Sequence, residues 1–350
     1  MEVIGLDIGF GYTKCTDGQR FLVFKSVYGE AAELQFREQL LSDPDEEDYL
    51  HVEIDDNAYF VGELAERQSV ERFFTLDQSQ FVADFTKVLA LTPLSTLVAR
   101  QEPVKLVAGL PISHYRRHRT ELVNILKGQH PLVSIDKDGQ RTDTVVRISD
   151  VKVVPQPFGT VMNLMLSDLG EVRDRRFLRE KIGVIDVGFR TTDYTIADRT
   201  RYSERGSKTT DTGISRAYTA IAAKLQESSG VNVELYRLYD AVDRGSIKIH
   251  GKRYDLKLVK EQAFSQLAST IATDANRLWA NDWDMDRVMI TGGGGAVLAP
   301  YMSKLLKGEI MPVEPGTDVR LNNVRGYWKY GKRLWTRGAP AAAAAATASS

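Results

Sequence analysis

Two stretches of this 350-residue chain are built alike, and that duplication limits the folds open to it. The first is Ile4-Gly5-Leu6-Asp7-Ile8-Gly9-Phe10-Gly11-Tyr12-Thr13-Lys14. The second is Gly183-Val184-Ile185-Asp186-Val187-Gly188-Phe189-Arg190-Thr191-Thr192-Asp193-Tyr194. Each runs apolar residues into an acid, places a glycine two residues on, turns, and resumes a β-prone run. Both read as β-hairpins whose tight turns carry a carboxylate and backbone N–H groups. Gly188 has no Cβ to hold a phosphate away, and Asp186 would hold the accompanying divalent cation through water. Alone, such a turn is an ordinary hairpin with a helpful glycine. A second copy, with Lys14 seven residues after its acid, shifts that balance. A third glycine site, Thr291-Gly292-Gly293-Gly294-Gly295, follows the apolar run Val288-Met289-Ile290 and opens a helical pattern.

The start of the chain argues against a Rossmann domain, in which the first strand feeds directly into a helix. Here 3–8, 12–16 and 21–24 read as three antiparallel strands, with Asp17-Gly18 as the second turn. The length suggests two domains or one large one. A net charge of −1 gives no reason to expect a strongly basic DNA-binding face. Cys15 is the only cysteine, which excludes an intrachain disulfide and an iron–sulfur site of clustered thiols. No apolar run reaches membrane-helix length, and the first residues lack a signal peptide's basic region, so a cytoplasmic protein with no membrane partner is expected.

In order, Asp43–Asp48 reads as an exposed acidic loop and 52–61 as another hairpin. The spacing of Phe81, Phe85, Val88, Leu89 and Leu91 predicts a helix. Val104–Ala108 is a core strand, and 114–126 a helix whose Arg116, Arg117, His118 and Arg119 form a solvated face. Two strands follow around Asp138-Gly139, then a separate one at 151–154, then a helix over 159–169. The second half repeats the plan, with a helix over 216–228, a mostly helical stretch over 233–283 holding a hairpin at His250-Gly251, and a helix over 296–306. Gly326 and Gly331 are expected to break any helix near the end, so that this segment packs back on the first domain. The alanine-rich tail, 339–350, has no face to bury and is expected to be disordered.

Two Asp-x-Gly hairpins in two similar halves, with a late glycine-rich helix entry, resemble the actin–Hsp70–sugar kinase superfamily over nearly the whole chain. Within it, Phe24–Gly29, Val61-Gly62-Glu63, Gly109-Leu110-Pro111 and Asn323–Tyr327 resemble the bacterial and archaeal actin-like group that includes ParM. The resemblance implies an α/β actin-like fold: two related domains with a nucleotide cleft between them, each with a smaller inserted subdomain. The expected bounds are 1–165 with an insertion at about 30–100, then 166–320 with a helical subdomain at about 214–284. A segment at 321–338 returns to the first domain.

The same resemblance implies ATP or ADP with Mg²⁺ as cofactors. Asp7 and Asp186 would organise the cation and its waters. Gly9, Gly11, Gly188, Thr191 and Thr192 would present N–H or O–H groups to phosphate, and Lys14 would contact the β- and γ-phosphates. Phe10, Tyr12, Phe189, Arg190 and Asp193 belong to the same two hairpins and are counted with the cofactor site. Gly213 and Ser215 lie where the second domain approaches the nucleotide, and Gly292, Gly293 and Gly294 would pass the adenosine. Gln156 stands where superfamily members place a Glu or Gln that orients the attacking water. Phe10 replaces a hydroxyl residue of actin, and the charged stretch 174–181 interrupts the spacing between Gln156 and Asp186. The implied function is an ATPase forming head-to-tail filaments, with an adaptor or DNA-binding partner and no direct nucleic-acid binding. A small-molecule kinase and a non-polymerising scaffold of the same fold stay open. Kinases of this fold need an acidic base near the acceptor hydroxyl, and no substrate-loop acid stands out.

Overall fold

The computed structural model describes residues 2–32, 49–74, 84–98, 102–313 and 316–336. The acidic loop Asp43–Asp48, the Phe81 position and the alanine-rich tail lie outside the described residues. The first half contains β1 (Glu2–Ile8), β2 (Tyr12–Thr16), β3 (Phe21–Lys25), β4 (Tyr28–Glu30), β5 (Leu50–Ile54), β6 (Asn57–Val61), α1 (Glu63–Gln68) and β7 (Arg72–Phe73). It continues through α2 (Asp84–Leu97), β8 (Val104–Leu110), α3 (Ile112–Leu126), β9 (Gly128–Ile135), β10 (Arg141–Pro155) and α4 (Gln156–Met165). The second half contains β11 (Lys181–Val187), β12 (Thr192–Asp198), β13 (Arg201–Thr210), α5 (Ser215–Ser229), α6 (Tyr239–Arg244), β14 (Ser246–Ile249) and β15 (Lys252–Asp255). Then come α7 (Lys257–Leu278), β16 (Arg287–Thr291), α8 (Gly292–Met302) and α9 (Asn322–Thr336).

These elements make the α/β actin-like architecture. Two sheets carry the same motif. One runs β3-β2-β1-β8-β10-β9-β5-β6-β4-β7, the other β13-β12-β11-β16. In each, a hairpin's first strand pairs antiparallel with its second and parallel with a later strand: β1 with β2 and β8, β11 with β12 and β16. Strands flanked on both sides and covered on both faces need side chains that are apolar throughout. That is why β1 and β11 read as unbroken apolar runs, each buried in six of seven residues. One apolar core gathers around β1, β8 and α2, and a second around α5, α7 and α8.

Two expectations are corrected. The separate strands expected on either side of residue 150 are one 15-residue strand, β10, because a register shift between Ile148 and Asp150 absorbs the break in pattern. Nor do Gly326 and Gly331 break a helix: α9 runs through both. Each glycine sits where another element leaves no room for a side chain. A Cβ on Gly326 would fall on the Gly159 carbonyl and 2.9 Å from Asn163 N. One on Gly331 would meet Val3 Cγ1 at 2.5 Å. The helical cost of glycine, about 1 kcal/mol, is offset by the closeness of α9 to α4 and β1.

Candidate functional site

The ends of β1 and β11 bring the two acids to opposite walls of one cleft, with about 320 Å³ of open volume. Asp7 is 4% exposed. Its Oδ2 accepts from Lys14 Nζ at 3.1 Å, and its Oδ1 from Gln156 Nε2 at 3.3 Å. Lys14 stands opposite Asp7 in the β1–β2 ladder, and Gln156 opens α4. Asp186 is equally enclosed, and its Oδ2 accepts from Asn323 Nδ2 at 2.6 Å. Burial pushes the Asp186 carboxyl up to about 6, against the lowering effect of that hydrogen bond.

The two turns close alike. Gly9 N–H donates to Tyr12 O at 3.1 Å, and Gly188 N–H to Thr191 O at 2.9 Å. These two amides therefore fasten the turns rather than point at a ligand. What the glycines contribute is the missing side chain. The turns meet across the cleft, since a Cβ on Gly11 would lie 2.9 Å from Phe189 Cγ. At the start of α8, Gly292 takes a positive φ of 85° and lies against the Val187 carbonyl, while Gly293 has nothing within 4 Å of its missing Cβ. That helix start aims N–H groups and the positive end of a dipole into the cleft.

Of the expected site residues, Asp7, Gly9, Phe10, Gly11, Tyr12, Lys14, Gln156, Asp186, Gly188, Phe189, Arg190, Thr191, Gly292, Gly293 and Gly294 line the cleft. Phe10 also packs into the first core, and Arg190 pairs with Asp211 at 3.2 Å. Four others stand behind the wall. Gly213 N–H donates to Arg190 O at 3.1 Å and Ser215 N–H to Phe189 O at 2.8 Å, bracing the second turn from outside. Thr192 donates its hydroxyl to Thr212 O at 2.9 Å. Asp193 accepts from the Thr209 hydroxyl and from Ile112 N–H at 3.1 Å, tying the second sheet to the start of α3. Burial pushes its carboxyl up to about 7.

The cleft also contains residues that carry no motif. Asn323 holds Asp186 while its own Oδ1 accepts from Thr160 N at 3.1 Å and Thr160 Oγ1 at 2.9 Å. Arg320 grips Asp318 by two nitrogens, Nη2 at 2.7 Å. Tyr239, 4% exposed, packs at a tilt against Tyr12 and Tyr218, with ring centroids 5.3 and 5.5 Å apart, and its buried hydroxyl has no hydrogen-bond partner among the described residues. Asp243 and Val297 complete that side. Only Asn323 lay in a stretch the sequence singled out, and there by likeness rather than by chemistry.

The site thus offers one lysine, two glycine turns and a helix start to an anion, with two carboxylates between them. No three His, Cys, Asp or Glu side chains converge among the described residues. Mg²⁺ characteristically keeps its waters and uses one or two carboxylates plus phosphate oxygens, and Asp7 and Asp186 are the two carboxylates between the turns.

Comparison with known proteins agrees with this layout. Residues 5–159 match the family of actin-like proteins, N-terminal domain, and residues 184–304 the archaeal actin homologue MreB-like C-terminal family. No curated protein sequence matches. A 15-stranded ParM filament from Clostridium botulinum is 24% identical, with 95% of this chain and 99% of that one covered, at a TM-score of 0.80. An archaeal actin homologue in complex with ADP is 17% identical over 95% of this chain and all of its own, at 0.76. Bacillus thuringiensis ParM with ATP is 17% identical over 94% and 97%, at 0.68.

Proposed function

Because the chain belongs to the actin-like proteins, its two halves matching two of their family models, we propose that it binds Mg-ATP between those halves, hydrolyses it, and polymerises into nucleotide-dependent filaments. The observation that carries this reading is the pair of Asp-x-Gly turns facing each other across one cleft. On this reading the turns and Thr191 surround the phosphates, and Lys14 adds a point charge. Asp7 and Asp186 hold the cation through its waters. Mg²⁺ supplies charge neutralisation at the β- and γ-phosphates when bound. Gln156 cannot act as a base at neutral pH, because its amide is not basic. Held beside Asp7, it orients the lytic water, a positioning role. The α8 glycines, Arg320 and the Tyr239–Asp243 side receive the nucleoside.

The two expected domains, 1–165 and 166–320, would close on the nucleotide, with 321–338 returning to the first. Lys25 already joins α1 to α6, with Nζ 2.7 Å from Glu63, 2.9 Å from Glu66 and 3.6 Å from Asp240. Closure would present the surfaces that bind the next subunit, and phosphate release would loosen them. Cargo, whether plasmid DNA or another cytoplasmic structure, would attach through a separate adaptor or DNA-binding protein. No helix among the described residues is long and apolar enough to cross a membrane.

Light scattering and electron microscopy with Mg-ATP, with Mg-ADP and without nucleotide test the reading. Filaments are expected with Mg-ATP and should shorten as it is consumed. Protein that sediments as monomer in every state at high concentration sinks the filament reading. ADP production that depends on an added sugar moves the assignment to a kinase.

A further inference from the structure

The cleft makes no use of the two ends of α7. This helix has 22 residues, about 33 Å at 1.5 Å per residue. Just past its C-terminus a turn presents Trp283, 89% exposed, while the other three tryptophans are buried or half-buried. The turn is fixed from beneath. Asp282 N–H donates to Trp279 O at 2.9 Å and Met285 N–H to Asp282 O at 3.1 Å. The buried Asp282 carboxylate takes Lys181 Nζ at 2.8 Å and Arg205 Nη2 at 2.5 Å. Trp279 donates its indole N–H to Gly206 O at 2.9 Å. Trp283 is therefore a preformed apolar knob rather than a loose tip. Exposed Asp284 and Asp286 stand beside it, each with one oxygen engaged, Asp284 Oδ1 by Lys181 Nζ and Asp286 Oδ2 by Lys181 N–H, both at 2.7 Å.

The other end of α7 has the opposite character. The β14–β15 hairpin and its flanks expose five bases, Arg244, Lys248, Lys252, Arg253 and Lys257, against two exposed acids, Asp243 and Asp255. None of those five bases forms an ion pair among the described residues. Leu258, beside them, is 71% exposed. Neither end can satisfy the other within one chain, because the helix separates them. A second copy of the chain can satisfy both.

We propose that the Trp283 turn of one subunit seats on the basic β14–β15 hairpin of the next, forming the lengthwise contact of the filament. The contact rests on the filament reading above. The indole face would lie on Lys252 and Arg253, a cation–π contact that strengthens on desolvation, with Leu258 as its apolar floor. Asp284 and Asp286 would meet the remaining bases. Tryptophan and arginine paired across a contact are the side chains that most often dominate binding energy. A contact between different patches at opposite ends does not close on itself, so it propagates.

Two variants test this in Mg-ATP: Trp283→Ser, and Lys252→Glu with Arg253→Glu. All three positions are exposed, so thermal melts and nucleotide affinity should match the wild type. Each variant alone should raise the critical concentration at least tenfold. Mixed in equal amounts, they should sediment as one-to-one dimers, because the hairpin variant keeps its Trp283 and the Trp283→Ser chain keeps its hairpin. Either variant assembling at the wild-type critical concentration overturns the proposal. So does a mixture that stays monomeric. Wild-type protein that never assembles removes the filament reading and this contact together, whereas assembly of wild type and variants alike removes the contact alone.

Discussion

The two hairpins share a backbone and differ in charge. In the ladder of the first, Lys14 stands opposite Asp7; in the second, Asp193 stands opposite Asp186. The first turn thus has its own cation beside its acid. The second has two buried acids, with carboxyls pushed up to about 6 and 7. On one side the acid is neutralised by its own lysine. The other is under electrostatic stress that a bound cation would relieve at Asp186 and that a proton relieves at Asp193. The duplicated frame thus pairs one acid with a lysine and the other with a second acid.

Removing Asp186 tests that division most severely. Asp186→Ala should weaken Mg-nucleotide binding by about a thousandfold, the ~4 kcal/mol scale of a lost partner in a buried charge contact. Isothermal titration beside a thermal melt measures both affinity and fold. Unchanged affinity would make Asp186 an ordinary hairpin acid. Gln156→Ala should leave binding nearly intact and slow phosphate release by about a hundredfold, or ~2.7 kcal/mol, so that filaments form but persist. Wild-type turnover in that variant removes Gln156 from the mechanism.

Lys14→Met, on the self-sufficient side, should weaken nucleotide binding by about tenfold, or ~1.4 kcal/mol. Its ladder counterpart Asp193→Asn should not change affinity at all. If the losses are equal, the two turns are not divided as argued. Asp193→Asn should act instead on stability against pH. The folded protein holds a proton on Asp193 that the unfolded chain releases near 3.8, so folding takes up a proton between about pH 4 and 7. That stabilisation is lost as pH rises through about 7, and Asp186 gives a like slope ending near 6. The wild-type melting temperature should therefore fall between pH 5 and 8. The Asn variant, fixed in the neutral form, should fall less, by about 3 °C, the scale of ~2 kcal/mol in a chain of this length. Parallel melting curves would show Asp193 to be ionised in the fold.

The frame was legible in the sequence because it is written locally. Asp7 and Asp186 announce themselves by an apolar run, a fixed spacing and a glycine, all within one hairpin. The place of Gln156 beside Asp7 was legible by resemblance alone. Asn323, Tyr239 and Arg320 were not, because their roles come from long-range contacts: Asn323 meets Asp186 137 residues away. Nothing in their neighbours' identities encodes such a meeting. Thr192, Gly213 and Ser215 were given a ligand by resemblance, but the Thr192 hydroxyl is taken by Thr212 O and the Gly213 and Ser215 amides by backbone oxygens of the turn. Gly326 and Gly331 were misread for the opposite reason. Helix propensity is a local quantity, and it was overruled by a helix crossing too close for a side chain.

The position of α9 bears on how the protein is made. Tyr327, 1% exposed, fills space over β8 and α4: a Cβ on Gly109 would strike its ring at 2.5 Å, as would one on Gly159. Gly5 of β1 lies against the backbone of Trp328. The first sheet, translated early, is therefore left with an uncovered apolar face until residues 322–336 leave the ribosome. During that interval the nascent chain resembles a folding intermediate with exposed core, the state most open to chaperone capture and to association with its neighbours. Contacts of such long sequence separation also slow the final step of folding. The first half of the fold is thus completed only when α9 arrives, rather than domain by domain.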